Sequence, residues 1–132
     1  MTTRAAGTFQ ITSWDENTYE ELEGGAKLTR AHVTQDFGGG LEGTGTWEAL
    51  MCYREDGTAD YTGFQRVVGR IGDRSGSFVL QTAGTYDGTD ANTNWVVVPG
   101  SGTGDLRGLT GEGSAAAGHG MGGTFTLDYE IG

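Results

Sequence analysis

The chain has 132 residues, 26 of them glycine, 35% apolar residues and a formal net charge of −10 at pH 7. That length suits one domain over 1–132 with a core of its own, and the eight Lys and Arg residues are scattered singly, which excludes the clustered basic surface that nucleic acid or an anionic membrane requires. Val, Thr, Phe, Tyr and Trp are interspersed with the glycines, so the glycine content reads as bends and close backbone approaches in a curved sheet and not as a disordered linker.

In chain order, Met1 to Gly7 lacks the apolar stretch of a signal peptide, and no apolar run approaches a membrane span, so a cytoplasmic protein is expected. Thr8 to Trp14 alternates and predicts a first strand with Phe9 and Ile11 on one face. Asp15 to Gly25 breaks the pattern and predicts an acidic connection. Ala26 to Phe37 returns to strand composition, and Gly38-Gly39-Gly40 predicts a tight reversal. Leu41 to Arg54 predicts a long strand with bends at Gly43 and Gly45. Cys52, the single cysteine, is expected as a buried or half-buried thiol and forms no internal disulfide. Glu55-Asp56-Gly57 is a hairpin signal.

Thr58 to Ile71 predicts the next strand, with a turn over Gly72 to Gly76. Ser77 to Tyr86 predicts another, closed by Asp87-Gly88. Asn92 to Val98 is nearly continuous in β-branched residues and is expected to be covered on both faces. Val98 to Gly113 holds the only proline and predicts a wide turn with a short helical kink at Leu106-Arg107. Its Gly100-Ser101-Gly102-Thr103-Gly104 run precedes no helix and carries no lysine, so neither a phosphate loop nor a nucleophilic Ser101 is expected. Leu106 and Leu109 are expected to plug one end of the fold. Gly111 to Ala117 predicts a short strand, and Thr124 to Ile131 shows the clearest alternation in the chain. About eight antiparallel strands without an amphipathic helix predict an all-β, single-domain, eight-stranded barrel, whose closure hides the strand edges; a sandwich is the alternative.

The segments Tyr53-Arg54-Glu55-Asp56-Gly57-Thr58-Ala59, Gly63 to Gly69, Arg74-Ser75-Gly76-Ser77-Phe78-Val79-Leu80-Gln81 and Val97 to Leu109 together resemble the DUF3224 family of bacterial proteins of unknown function. The resemblance spans most of the chain. It implies a barrel similar to those of allene oxide cyclases and dirigent proteins, which bind apolar substrates, steer cyclisation or coupling, and form dimers or trimers. A homo-oligomer without a cofactor is the implied state. At the positions of Gln65 and Thr82 the family pattern often has Glu and His, so this chain carries a weaker acid–base pair there.

The candidate residues lie on the strands. Arg66 is expected to face water, which puts Tyr61, Gly63, Gln65 and Val67 on the opposite, inner face. Gln65 offers a neutral hydrogen-bonding group for a ligand carbonyl or hydroxyl. Glu48 lies between Trp47 and Ala49: inward, it is a buried general acid or base with a raised pKa; outward, a solvated strand residue. The catalytic candidates are Gln65, Glu48 and Tyr61, and the ligand-binding candidates are Trp47, Tyr53, Thr82, Tyr86, Trp95 and His32. His32 and His119 have no carboxylate at ligand spacing, and no metal is expected. His119 is a candidate proton shuttle near a barrel mouth. The expected function is a cofactor-free barrel for a small apolar molecule, either a cyclase or isomerase or a non-catalytic binding or structural barrel.

Overall fold

Eight strands run in chain order: β1 (Thr3–Glu21), β2 (Lys27–Gly39), β3 (Leu41–Tyr53), β4 (Ala59–Ile71), β5 (Arg74–Tyr86), β6 (Ala91–Val97), β7 (Leu109–Ala117) and β8 (Gly122–Ile131). Each pairs antiparallel with the next, and β1 pairs with β8, so the sheet closes into a barrel. The computed structural model describes residues 2–118 and 122–132. His119 lies outside the described residues.

Alternation sorts the side chains. Along β3 and β4, Trp47, Ala49, Met51, Tyr61, Gln65 and Val67 are buried inside, while Glu48, Arg66 and Arg70 are exposed outside. The Gly38 to Gly40 reversal forms as expected, with Gly39 at φ +106°, a conformation that side-chain-bearing residues rarely adopt. Gly63 does a different job. A Cβ there would sit 2.0 Å from the Glu48 carbonyl oxygen on β3, so only glycine lets the two backbones approach so closely at the inner face.

Four local expectations need correction. The predicted acidic connection from Asp15 is mostly strand: β1 continues to Glu21 and only Glu23–Gly25 is a 3-10 turn. A register shift between Ile11 and Ser13 places Ile11 opposite Gln35 and Trp14 opposite Val33. The bulge therefore puts Ile11 and Trp14 on the same inner face three residues apart, and this interrupts the two-residue period. The turn after Ile71 is only Gly72-Asp73, with Arg74 to Gly76 already in β5. β6 is not covered on both faces, because Trp95 and Val97 are buried while Val96 between them is exposed. Cys52 is exposed, since its inward neighbours Met51 and Tyr53 force it to the outside.

The interior has two parts. At the end holding both chain termini, Phe37, Leu41, Ile71, Phe78, Leu127 and their neighbours form the larger apolar cluster. The β6–β7 connection closes this end: its 3-10 turn Gly104–Leu106 buries Leu106, and Leu109 follows, both almost fully excluded from water. β6 covers β5 only from Leu80 to Tyr86. Beyond that, the connection supplies the missing partners: the Thr103 backbone N–H donates to Ser77 O at 2.8 Å, the Ser77 N–H to Thr103 Oγ1 at 3.0 Å and the Val79 N–H to Ser101 Oγ at 3.0 Å. The Gly-Ser-Gly-Thr-Gly run thus satisfies a strand edge that would otherwise carry unpaired backbone groups. The second cluster, around Ala31, Val33, Trp47, Ala49, Met51 and Tyr61, lies toward the opposite end, where the β1–β2, β3–β4 and β5–β6 connections and the adjoining ends of β7 and β8 surround an opening.

Candidate functional site

The opening leads into a cavity of about 370 Å³, within the range of roughly 300–1,000 Å³ typical of small-molecule sites. Its walls are Trp14 from β1, Trp47, Met51 and Tyr53 from β3, Tyr61 from β4, and Tyr86 from β5, with Thr93 and the small Ala91 and Ala117 opposite. Trp47 stands edge-on to both Trp14 and Tyr61, with ring centroids 6.2 and 5.5 Å apart, the arrangement favoured by the ring quadrupoles. The alanines make the space. With large residues on β3 and β4 and alanines on β6 and β7, the barrel is filled on one side and hollow on the other.

Beneath the cavity runs a polar layer. The Trp47 indole N–H donates to Thr82 Oγ1 at 2.9 Å, the Tyr61 hydroxyl bonds Thr93 Oγ1 at 2.7 Å, and the Gln65 amide donates to Gln35 Oε1. Gln35, Gln65, Thr82 and Thr93 surround a second space of only about 40 Å³, shared with Phe9, Trp47, Trp95 and Ala115. Among the described residues no buried side-chain nitrogen or oxygen lacks a partner. A fully satisfied buried network fixes its members in one arrangement. Here it orients the two aromatic walls, Trp47 through Thr82 and Tyr61 through Thr93.

Two of the cavity phenols, Tyr61 and Tyr53, are held protonated at neutral pH. Burial raises the Tyr61 pKa against the opposing hydrogen bond with Thr93. At Tyr53, burial is the larger cause and the neighbouring Glu16 carboxylate adds to it, carrying the pKa well above the usual tyrosine range. Two neutral phenols in an apolar cavity suit hydrogen-bond donation to a ligand oxygen and do not suit proton abstraction.

The sequence-predicted residues divide into three groups. Trp47, Tyr53, Tyr61 and Tyr86 line the cavity together. Gln65, Thr82 and Trp95 are inside the barrel but below it: Gln65 reaches the cavity only through Gln35, the Thr82 hydroxyl is engaged by Trp47, and Trp95 packs edge-on to Phe37 in the closed half. Glu48 and His32 do not reach the lumen. They pair with each other on the outer surface beside Arg30, and the His32 hydrogen bond, aided by Arg30, lowers the Glu48 pKa. The inward alternative for Glu48, with a raised pKa, is thereby corrected: Trp47 and Ala49 take the inner face and alternation sends Glu48 out.

Sequence reasoning singled out Trp14 as a possible pocket aromatic and missed Gln35, Met51, Thr93 and Glu16. Met51 and Gln35 share a face with recognised apolar neighbours and were open to discovery by strict alternation. The β1 bulge hid Glu16 and the inward face of Trp14. Glu16 stands at the rim, where its carboxylate accepts from the Trp14 indole N–H at 2.9 Å and the Thr29 hydroxyl at 2.6 Å. Among the described residues no group of three His, Cys, Asp or Glu is placed to hold a metal ion.

A closed eight-stranded antiparallel barrel, plugged at one end and hollow at the other, is the class that these features define. The family described as protein of unknown function DUF3224 matches residues 5–129, and the chain belongs to it. A crystal structure of a DUF3224 protein of unknown function from Shewanella oneidensis MR-1 is similar over 100% of this chain and 99% of that one, with 30% sequence identity and a TM-score of 0.85. No curated protein matches.

Proposed function

We propose that this barrel binds a small, largely apolar, ring-containing molecule in its open end, without a cofactor. The observation that carries the reading is the aromatic-walled cavity of about 370 Å³, opening to solvent and floored by a satisfied polar layer. A side-chain-filled structural barrel has no need of such a space, and large aromatic walls with a few placed polar groups are the usual composition of a ligand site. Tyr61 and Tyr53 donate to a carbonyl or hydroxyl of the ligand, Tyr61 giving up its long bond to Asn92 O at 3.3 Å and Tyr53 its contact with Met51 Sδ at 3.6 Å. A cyclase or isomerase reading builds on the same cavity: the rigid walls fold a flexible substrate and the phenols stabilise charge developing on one oxygen. Gln65 then acts as a positioning residue for Gln35.

Titration with prodan, a neutral naphthalene ketone whose emission reports an apolar surrounding, tests the reading. Saturable binding of one dye per chain, weakened by Tyr61→Ala, is the expected result. Absence of saturable binding, or equal binding to Tyr61→Ala, overturns it.

A further inference from the structure

The chain's charge is not spread evenly over the barrel. At the closed end Arg4, Arg70, Arg74 and Arg107 nearly balance Glu42, Asp73, Asp105, Asp128 and Glu130. The open end is different. The β1–β2 hairpin contributes Glu20, Glu21 and Glu23, the β3–β4 hairpin Glu55 and Asp56, and the β5–β6 hairpin Asp87 and Asp90, against Lys27 and Arg54 alone. Arg54 is already engaged by Asp60. These seven acidic residues against two basic ones put half of the formal charge of −10 around one opening. Hydrogen bonds from Thr58 hold Asp56, and backbone N–H groups of Asp90 and Thr89 hold Asp87, below the ordinary carboxylate range, so these charges persist in mildly acidic solution.

Inside that ring, Glu16 is the carboxylate nearest the aromatic walls. It accepts the Trp14 indole N–H, which pushes electron density into a ring that itself lines the cavity. Tyr53 faces the cavity and also a shallower rim depression shared with Glu16, Lys27 and Thr29. The Lys27 ammonium lies 5.2 Å from the Tyr53 ring centroid, so this ring already attracts a positive group, one that a ligand cation displaces toward Glu55 and solvent. Aromatic faces attract cations most strongly where water is partly excluded, and low-dielectric walls focus the field of a one-signed rim into the cleft between them.

Resting on the binding reading above, we infer that the open end selects a cationic ligand: an apolar ring system carrying an amine or quaternary ammonium group, seated with its rings among Trp47, Met51 and Tyr61 and its charge at Trp14, Tyr53 and Glu16. Anionic apolar molecules such as fatty acids or aromatic carboxylates are excluded by the same rim.

Three naphthalenes of equal size but different charge test this: naphthylmethylamine, naphthalenemethanol and naphthoate, titrated by quenching of tryptophan fluorescence at low and physiological salt. The amine binds about tenfold or more tighter than the carboxylate, the alcohol falls between, and the spread narrows as salt rises. Glu16→Gln weakens the amine severalfold and the alcohol less, so the amine-over-alcohol preference falls. The double variant Glu20→Lys, Glu23→Lys lies outside the cavity and reduces the amine-over-carboxylate preference without affecting the alcohol. Equal binding of all three ligands, or preference for the carboxylate, overturns the charge selection while leaving the cavity reading in place. Failure of the alcohol and the amine alike overturns both.

Discussion

The two ends of the barrel are built from the same strands and differ in almost every other respect. At the closed end the inner positions hold Phe37, Leu41, Ile71, Phe78 and Leu127, a loop folds Leu106 across the bottom, and the interior is filled. At the open end the same strands carry large aromatics on one wall and alanines on the other, and among the described residues no loop side chain comparable to Leu106 packs into the cavity. Apolar packing is concentrated at one end, and the open space is concentrated at the other. The Gln35, Gln65, Thr82 and Thr93 layer separates them, with its hydrogen bonds orienting the aromatic walls above.

Substitutions break this comparison in measurable ways. Phe125→Ala in the closed half removes a buried ring packed against Phe37 and Trp95 and is expected to cost about 3–5 kcal/mol in urea denaturation, with prodan affinity little changed. Met51→Ala removes a side chain that already borders a solvent-connected space, so no sealed void results. Its expected cost is smaller, about 1–2 kcal/mol, while prodan affinity falls. Equal costs for the two variants would erase the distinction between the ends.

Thr82→Val retains the shape of the residue and deletes the oxygen that accepts the Trp47 N–H. Leaving that buried donor unpaired is expected to cost about 1–3 kcal/mol and to weaken prodan binding as Trp47 loses its fixed orientation. A stability loss without a binding loss would detach the polar layer from the site.

The smallest effect concerns pH. Arg4 lowers the Asp128 pKa, mainly by hydrogen bonding, and local hydrogen bonds lower those of Asp56 and Asp87. A carboxylate whose folded pKa lies below its unfolded value stabilises the fold above the unfolded value, and that stability is lost as pH falls through the folded one. Urea midpoints are therefore expected to hold steady near neutrality and decline below the ordinary carboxylate range, with Arg4→Ala removing part of the decline. These groups are exposed, so the change from any single pair is slight.

Much of the barrel was legible in the chain. The Gly38 to Gly40 reversal, the Glu55-Asp56-Gly57 hairpin, the inner face of Tyr61, Gln65 and Val67, and the Leu106–Leu109 plug all follow from turn chemistry and two-residue alternation. The cavity was half legible. Trp47, Tyr53, Tyr61 and Tyr86 stood out as aromatics on strands, yet nothing in the local pattern separates an aromatic that lines a space from one that fills it, as Trp95 does. That distinction depends on what lies across the lumen, and Ala91 and Ala117 come from strands distant in sequence. The β1 bulge hid the rest, because one extra residue changes the phase of alternation: it put Trp14 on the outer face of the predicted strand and made Asp15 and Glu16 look like the start of a loop.

The central claim, that the open end holds a ligand and the closed end holds the fold, is tested most directly by prodan titration of two variants beside the parent chain. Ala91→Trp fills the hollow wall of the cavity, and Phe125→Leu perturbs only the plugged half. Loss of saturable dye binding in Ala91→Trp, with binding retained in Phe125→Leu, is the result expected. Undiminished binding in Ala91→Trp would contradict the account.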